Sequence, residues 1–422
     1  MRIIGANKDF DVTANLVGSK SQSNRALMIA YYGGFEPRVK NLSASDDTQL
    51  LKKTLQFLST SNTHVTSRAN PTIIDCQNAG TVLRFLVTAL SLRNGDWLLT
   101  GSVRMKQRPV NEIVEALQNI GADIEYTGKD GFPPLRIKGR DLNFDKLSVD
   151  VSRSSQFASS ILMATPCYRK TIPSSEHNAT CDVVTMHLDG ALSSLPYIDM
   201  TIDIMRRFGV KIHRNGRDIF MQPSEYQDVE YCVESDWTCA SYWFEMVALG
   251  RNCRATLRNL HLDSAQGDAI VAKWFEQLGV KSVQDGNDLI ISHVETDINI
   301  IPQFDFTNNP DLYPTIAATC AGLGVEARFT GLSNLVYKES DRGKAMATEL
   351  AKLKMYYIDS QRDKQPIVFD SHGDHRIAMA LAPLALRIGD IEINDAGVVS
   401  KSYPGFWEES TPILMSRHPL CE

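Results

Sequence analysis

Gly18-Ser-Lys-Ser-Gln-Ser-Asn-Arg-Ala-Leu-Met-Ile-Ala-Tyr-Tyr32 runs from a small polar turn straight into an apolar helix, and five later stretches do the same. They are QNAGTVLRFLVTALSL (77–92), VSRSSQFASSILMATP (151–166), ESDWTCASYWFEMVALG (234–250), TNNPDLYPTIAATCAGLG (307–324) and GDHRIAMALAPLALRIG (373–389). Their spacing is a weak repeat of roughly sixty to eighty residues. Between them lie amphipathic helices, clearest at 108–126, 195–213 and 267–283, where apolar residues recur at helical spacing and a Gly follows as C-cap. Alternating strands then turn at Asn215-Gly216 and Asp285-Gly286. The repeated unit is therefore α/β, with about four strands and two helices.

Ser, Thr, Asn, Lys, Arg and Asp cluster at the starts of these first helices. Unpaired N–H groups and the helix dipole favour anions there. If the starts converge, the fold offers a cleft for multiply charged phosphates. The chain as a whole carries a formal charge of −6, so anionic ligands must be met by local clusters of cations, and nonspecific binding to nucleic acid or an anionic membrane is not expected.

With 422 residues, 43% of them hydrophobic, the chain has material for two packed domains. No stretch reaches the length that crosses a bilayer, and the N-terminus lacks a cleavable apolar leader, which predicts a cytoplasmic protein. Eight cysteines, at 76, 167, 181, 232, 239, 253, 320 and 421, form no C-x-x-C pair. They read as reduced and mostly buried thiols rather than disulfides or zinc ligands. No metal and no cofactor are expected.

At Gly18–Arg25, Asn78-Ala-Gly-Thr81 and Arg104-Met-Lys-Gln-Arg-Pro109 the sequence resembles the enolpyruvylshikimate-phosphate synthases. The likeness continues through Ser154-Ser-Gln156, Ser194-Leu-Pro-Tyr197, Asn309-Pro-Asp311, Asn334–Arg342, Asp374-His-Arg376 and Lys401, in order along nearly the whole chain. The resemblance implies two similar α/β domains, each of three repeated βαβαββ-like units arranged as an inside-out barrel, with the ligand cleft between them. One domain would comprise 1–18 plus 234–422 and the other 19–233. It implies transfer of the enolpyruvyl group of phosphoenolpyruvate to the 5-hydroxyl of shikimate 3-phosphate, with release of phosphate, by a monomer that takes only small-molecule substrates and is a target of glyphosate.

Carried over residue by residue, the resemblance gives phosphoenolpyruvate to Lys20, Gly80, Arg108, Gln156, Arg342, Arg376 and Lys401. Shikimate 3-phosphate falls to Lys20, Ser21, Arg25, Ser154, Ser155, Gln156, Ser194, Tyr197, Asp311, Asn334 and Lys338. These residue types suit polyanionic ligands, because Arg forks pair with carboxylate and phosphate, Lys supplies a movable charge, and hydroxyls and amides both donate and accept. Asp311 is the candidate acceptor of the hydroxyl proton and Glu339 the candidate for proton exchange at C3, with Lys20 an alternative acid. Beside Arg376, His375 reads as structural. The chain departs from many relatives at Val17, Gln77, Phe85 and Gly373, which usually read Pro, Gly, Pro and Asn.

Two rivals follow from the same features. The sister enolpyruvyltransferase acting on a uridine-diphosphate amino sugar uses a loop Cys, and Leu99–Pro109 contains none. A noncatalytic clamp around nucleic acid would need basic helix faces, whereas these cations sit at helix starts among small residues.

Overall fold

The computed structural model describes residues 1–4, 6–60, 69–144, 146–168, 183–296, 300–358 and 365–415. All six first helices form: α1 (Lys20–Gly33), α2 (Gly80–Leu92), α3 (Gln156–Tyr168), α4 (Trp237–Leu249), α5 (Tyr313–Leu323) and α6 (His375–Leu381). Every residue of α4 is buried, as expected of a helix whose apolar residues leave no polar face. Asp236 caps it by accepting from the Cys239 amide at 3.0 Å, and Asp374 caps α6 by accepting from the Arg376 amide at 3.0 Å.

The chain divides into two compact units. Unit 1 comprises Met1–Ser19, Ser43–Asp46 and Glu234–Glu422, and unit 2 comprises Lys20–Leu42 and Asp47–Val233. The boundaries expected from sequence put Ser19 and 43–46 on the other side. Ser19 joins unit 1 because its amide donates to the Glu234 carbonyl at 2.8 Å, and Asp46 because it accepts from the Ser400 hydroxyl at 2.6 Å. Each unit has its own core: Trp97, Phe85, Phe157 and Phe208 are wholly buried in unit 2, and Trp237, Trp243, Phe244 and Phe275 in unit 1.

Three repeats carry complete four-stranded sheets of one topology. In unit 2, Thr72–Asp75 lies parallel to Asp96–Thr100, and Leu135–Lys138 and Asp123–Tyr126 continue the sheet antiparallel. Leu147–Asp150, Val184–Asp189, Asp218–Met221 and Ile212–Asn215 repeat that pattern. In unit 1, Phe10–Ala14 from the N-terminus pairs parallel with Cys253–Leu257, followed antiparallel by Asp288–His293 and Val280–Asp285. In each case a first helix crosses between the two parallel strands, as parallel pairing demands. Gly216 (φ 61°) and Gly286 (φ 58°) make the two hairpin turns, at positions where a side chain would be strained.

Among the described residues the other three repeats show parallel pairs: Val39–Lys40 with Tyr231–Cys232, Gln303–Asp305 with Arg328–Thr330, and Ile367–Asp370 with Ile391–Asn394. Arg2–Ile3 adds an antiparallel edge to the last pair.

Two expected helices break. Over 267–283 the chain makes a 3-10 turn, Gly267–Ile270, before the short helix Val271–Glu276, and the Asp268 side chain is turned inward. Over 373–389, Pro383 lacks the N–H that a continuing helix would use, and a 3-10 turn at Ala382–Leu384 separates α6 from Ala385–Ile388. Cys76, Cys239, Cys253 and Cys320 are buried thiols that form no disulfide, Cys167 is half-buried and Cys232 exposed, while Cys181 and Cys421 lie outside the described residues. Among the described residues no helix is long and apolar enough to cross a membrane.

Candidate active site

In unit 2 the predicted residues gather at the N-termini of α1, α2 and α3 and of the helix Leu195–Arg207. Lys20 opens α1 with Nζ 3.4 Å from Asp47 Oδ2. Arg25, one turn on, is only 1% exposed. Its guanidinium donates to Thr201 Oγ1 (2.7 Å), Ser159 Oγ (3.2 Å) and the carbonyls of Ser21 (3.0 Å) and Tyr197 (3.1 Å), and lies 5.7 Å from the centre of the Phe85 ring. Burial among these groups pulls its pKa down to about 10. In this state Arg25 ties α1 to α3 and to Leu195–Arg207, its donors spent on protein oxygens.

Gly80 is the first residue of α2, and the Arg108 guanidinium rests against it. A Cβ on Gly80 would meet Arg108 Nη1 at 2.5 Å, Cζ at 2.7 Å and Nη2 at 2.8 Å. Gln156 opens α3, and its amide is held at both ends: Arg84 Nη1 donates to Oε1 at 2.9 Å and Nε2 donates to Thr81 Oγ1 at 3.0 Å. Ser154 Oγ accepts from the Gln156 amide at 3.3 Å, and the Ser155 carbonyl accepts from Ser159 N at 3.1 Å. Ser194 precedes its helix in the left-handed region (φ 53°). Gln77 is left-handed too (φ 49°), which gives the physical reason why Gly suits that position.

In unit 1 four candidate cations and two candidate carboxylates meet in one ionic network. Asp311 accepts from Arg342 Nη1 at 2.6 Å and Arg376 Nη2 at 2.8 Å, with Lys338 Nζ at 3.1 Å. Arg342 Nη2 also donates to Glu339 Oε2 at 2.8 Å, and Lys401 Nζ lies 3.7 Å from Glu339 Oε1. Behind them, fully buried Asp374 takes Arg342 Nε at 2.8 Å and Nη2 at 3.3 Å. Four cations against three carboxylates leave these groups with one net positive charge.

The electrostatics follow from that packing. Burial opposes ionisation of Asp311, but Arg376, Lys338 and Arg342 outweigh it and hold its carboxyl well below the usual range. Burial lowers Lys338, with Asp311 acting in the opposite sense. Arg342 rises above its ordinary value, because Asp374, Glu339 and Asp311 together overcome its own burial. His375 is buried with Nδ1 3.6 Å from Asp374 Oδ1, beneath the network and consistent with a structural place. Asn334 is half-buried in the 3-10 turn Ser333–Tyr337.

A chain with two such sets of cationic and hydroxyl groups can be compared with known proteins. The family model described as EPSP synthase (3-phosphoshikimate 1-carboxyvinyltransferase) matches residues 5–409. The chain belongs to this family. Among curated relatives, the 3-phosphoshikimate 1-carboxyvinyltransferase of Bacteroides fragilis strain YCH46 is 36% identical over 419 residues, covering 96% of each chain. That of Methanoculleus marisnigri is 35% identical over 412 residues, covering 92% of this chain and 94% of the other. The EPSP synthase structure from Acinetobacter baumannii superposes with a TM-score of 0.71 over 98% of both chains at 23% identity, a likeness of fold.

Within this EPSP synthase chain, three side chains that hold the candidates escape sequence reasoning, Asp47, Arg84 and Asp374, as does Asp268, which holds Asn309 of the Asn309-Pro-Asp311 motif. Asp374 lies inside one of the motifs and carries the N-cap signal that singles it out. The other three approach their partners across 27 to 72 residues, a distance no spacing rule reads.

Proposed function

We propose that this chain transfers the enolpyruvyl group of phosphoenolpyruvate to the 5-hydroxyl of shikimate 3-phosphate, releasing phosphate, with Asp311 and Glu339 as its proton-transfer groups. Family membership over residues 5–409 carries the reaction. The substrates are small polyanions, each with a carboxylate and a phosphate, and their mutual repulsion must be offset by cations.

In the first step the 5-hydroxyl oxygen bonds to C2 of the enol, its proton passes to a base, and C3 takes up a proton. In the second, C3 loses a proton, the C2–O bond to phosphate breaks and the double bond re-forms. Acid and base therefore exchange roles across one tetrahedral intermediate. One observation supports the assignment: a single guanidinium, Arg342, holds both Asp311 and Glu339. We infer that the anionic substrates compete for Arg342, Arg376, Lys338 and Lys401 in unit 1 and for Lys20 and Arg108 in unit 2. Ser21, Arg25, Ser154, Ser155, Ser194, Tyr197 and Asn334 belong with shikimate 3-phosphate, Gly80 with the enolpyruvyl donor, and Gln156 with both. A monomeric state and a cytoplasmic compartment complete the reading.

The test is phosphate release from phosphoenolpyruvate with shikimate 3-phosphate as acceptor. Inactivity with that pair, together with activity on a uridine-diphosphate amino sugar, overturns it.

A further inference from the structure

Thr238, Asp268 and Asn309 come from three separate segments of unit 1 and meet as a buried polar triad. Thr238 is the second residue of α4, Asp268 lies in the 3-10 turn Gly267–Ile270, and Asn309 precedes the 3-10 turn Pro310–Leu312. The Thr238 hydroxyl donates to Asp268 Oδ2 at 2.5 Å, and Asn309 Nδ2 donates to Asp268 Oδ1 at 3.1 Å. All three residues are 4–6% exposed. Withdrawing a carboxylate from water is costly unless its oxygens are satisfied, and here each oxygen accepts a hydrogen bond from one of the other two residues.

We propose that Asp268 is a positioning residue for Asp311, acting through Asn309. The deduction rests on the assignment of Asp311 as proton acceptor under the proposed function. Asn309 holds a backbone conformation, φ −131° and ψ 53°, that is neither helical nor extended. Its amide donates to the Phe306 carbonyl at 3.2 Å, and its carbonyl accepts from Leu312 N at 3.1 Å, across the turn whose middle residue is Asp311. Pro310 fixes the next φ, so the direction in which Asp311 leaves the backbone is set at Asn309. Asp268 anchors Asn309 by accepting from its side-chain amide, and Thr238 anchors Asp268 to the start of α4. The two carboxyls also sense each other: burial first, then the charge on Asp311, raises Asp268 above the ordinary range, while Asp311 stays ionised among its cations.

A positioning role predicts a loss in turnover without a matching loss in binding. Asp268→Ala and Asn309→Ala should each lower kcat roughly 10- to 100-fold, the size of effect that a misplacement of about 1 Å produces. KM for both substrates should stay within about twofold. Asp268→Asn keeps an acceptor for the Asn309 amide and should recover most of the turnover. In an Asp311→Asn background, Asp268→Ala should add nothing, because its effect passes through Asp311. Tryptophan fluorescence during urea unfolding checks that the variants fold; if Asp268→Ala does not, Asn309→Ala and Asp268→Asn carry the same comparison. Full turnover in Asn309→Ala while Asp311→Asn is impaired overturns the positioning role alone. An undiminished additional loss from Asp268→Ala in the Asp311→Asn protein does so too. Unchanged turnover in Asp311→Asn itself overturns the proton-acceptor assignment and the positioning role with it.

Discussion

Replacing Arg342 by Met would strip the ionic network of unit 1 of the one group that touches all three of its carboxylates. Arg342 is 1% exposed and makes contacts of 2.6 Å to Asp311, 2.8 Å to Glu339, and 2.8 and 3.3 Å to Asp374. Met fills a similar volume, so the cavity contribution is small, and the loss comes from carboxylates left in a low-dielectric site without their cation. Breaking a buried pair in this way costs about 3–5 kcal/mol. The assay is built into the sequence: Trp237, Trp243, Trp274 and Trp407 belong to unit 1 and only Trp97 to unit 2, so intrinsic fluorescence during urea unfolding reports chiefly on the unit that is changed. The deficit should depend on pH with a definite sign. A carboxyl held below its unfolded value, as Asp311 is, stabilises above the unfolded pKa and loses that contribution as pH falls through the folded one. Near neutral pH the stranded Asp311 is charged and the deficit is greatest; below about pH 4 it takes up a proton and the deficit shrinks. Arg342→Lys keeps one charge but cannot span three partners, and should fall between the two. A loss under about 1 kcal/mol, or one that is the same at pH 4 and pH 7, would refute the account of Arg342 as the hub.

Three shorter predictions concern single positions. Gln77→Gly should stabilise the protein by about 1 kcal/mol, because it releases a left-handed side-chain residue (φ 49°), and a lower urea midpoint in the variant would show that no strain resides there. From sequence, Gly80→Ala is expected to weaken glyphosate far more than phosphoenolpyruvate; with the new Cβ 2.5 Å from Arg108 Nη1, both should instead weaken together, by about 1–3 kcal/mol, and inhibition constants showing selective loss of glyphosate would place the clash on the ligand. Asp311→Asn and Glu339→Gln should lower kcat by orders of magnitude with little change in KM, and an unchanged kcat removes that residue from the proton transfers.

How far the sequence could be read depended on whether the deciding interaction is local. The helix starts, the Gly residues after 108–120, 195–208 and 267–278, and the hairpin turns at Gly216 and Gly286 are settled within a few residues, and all of them form. Where the chain departs from the reading, a partner distant in sequence intervenes. Asp268 turns inward to Thr238 and Asn309, 30 and 41 residues away, and the helix expected from 267 begins instead as a 3-10 turn. The site shows the same limit. The cations were legible because Lys and Arg beside small residues at helix starts form a pattern. The carboxylates that hold them were not, since Asp47 and Asp374 look like ordinary helix-capping or surface acids until the fold brings them to Lys20 and Arg342. Arg25 illustrates the opposite case, a residue whose motif suggests a ligand and whose fold gives it four protein acceptors.

The network also says when Asp311 can act as a base. With Arg342, Arg376 and Lys338 all within 3.1 Å, its carboxylate is stabilised so strongly that it has little affinity for a proton. A base must bind the proton it removes, so turnover through Asp311 requires that these cations first be drawn toward something else. Under the proposed function the substrates would be the means, since each would bring a phosphate and a carboxylate to compete for the same guanidinium and ammonium groups. Substrate binding and activation of the base are then one event. The consequence is a difference between two pH profiles, because kcat/KM reports on the free enzyme and kcat on the saturated one. The acidic limb of kcat should lie at higher pH than the enzyme's contribution to the acidic limb of kcat/KM, since Asp311 regains basicity only when its cations are engaged. Lys338→Met removes one of the three in advance and should move the free-enzyme limb upward, toward that of the complex, while leaving the limb of kcat nearly in place. Steady-state rates from about pH 3.5 to pH 7 locate the limb of kcat in wild type and variant and show whether Lys338→Met brings the free-enzyme limb up into that range, with the phosphate ionisations of the substrates as a common background. Coincident limbs in the wild-type enzyme, unmoved by Lys338→Met, would mean that the resting ion pairs do not restrain the base.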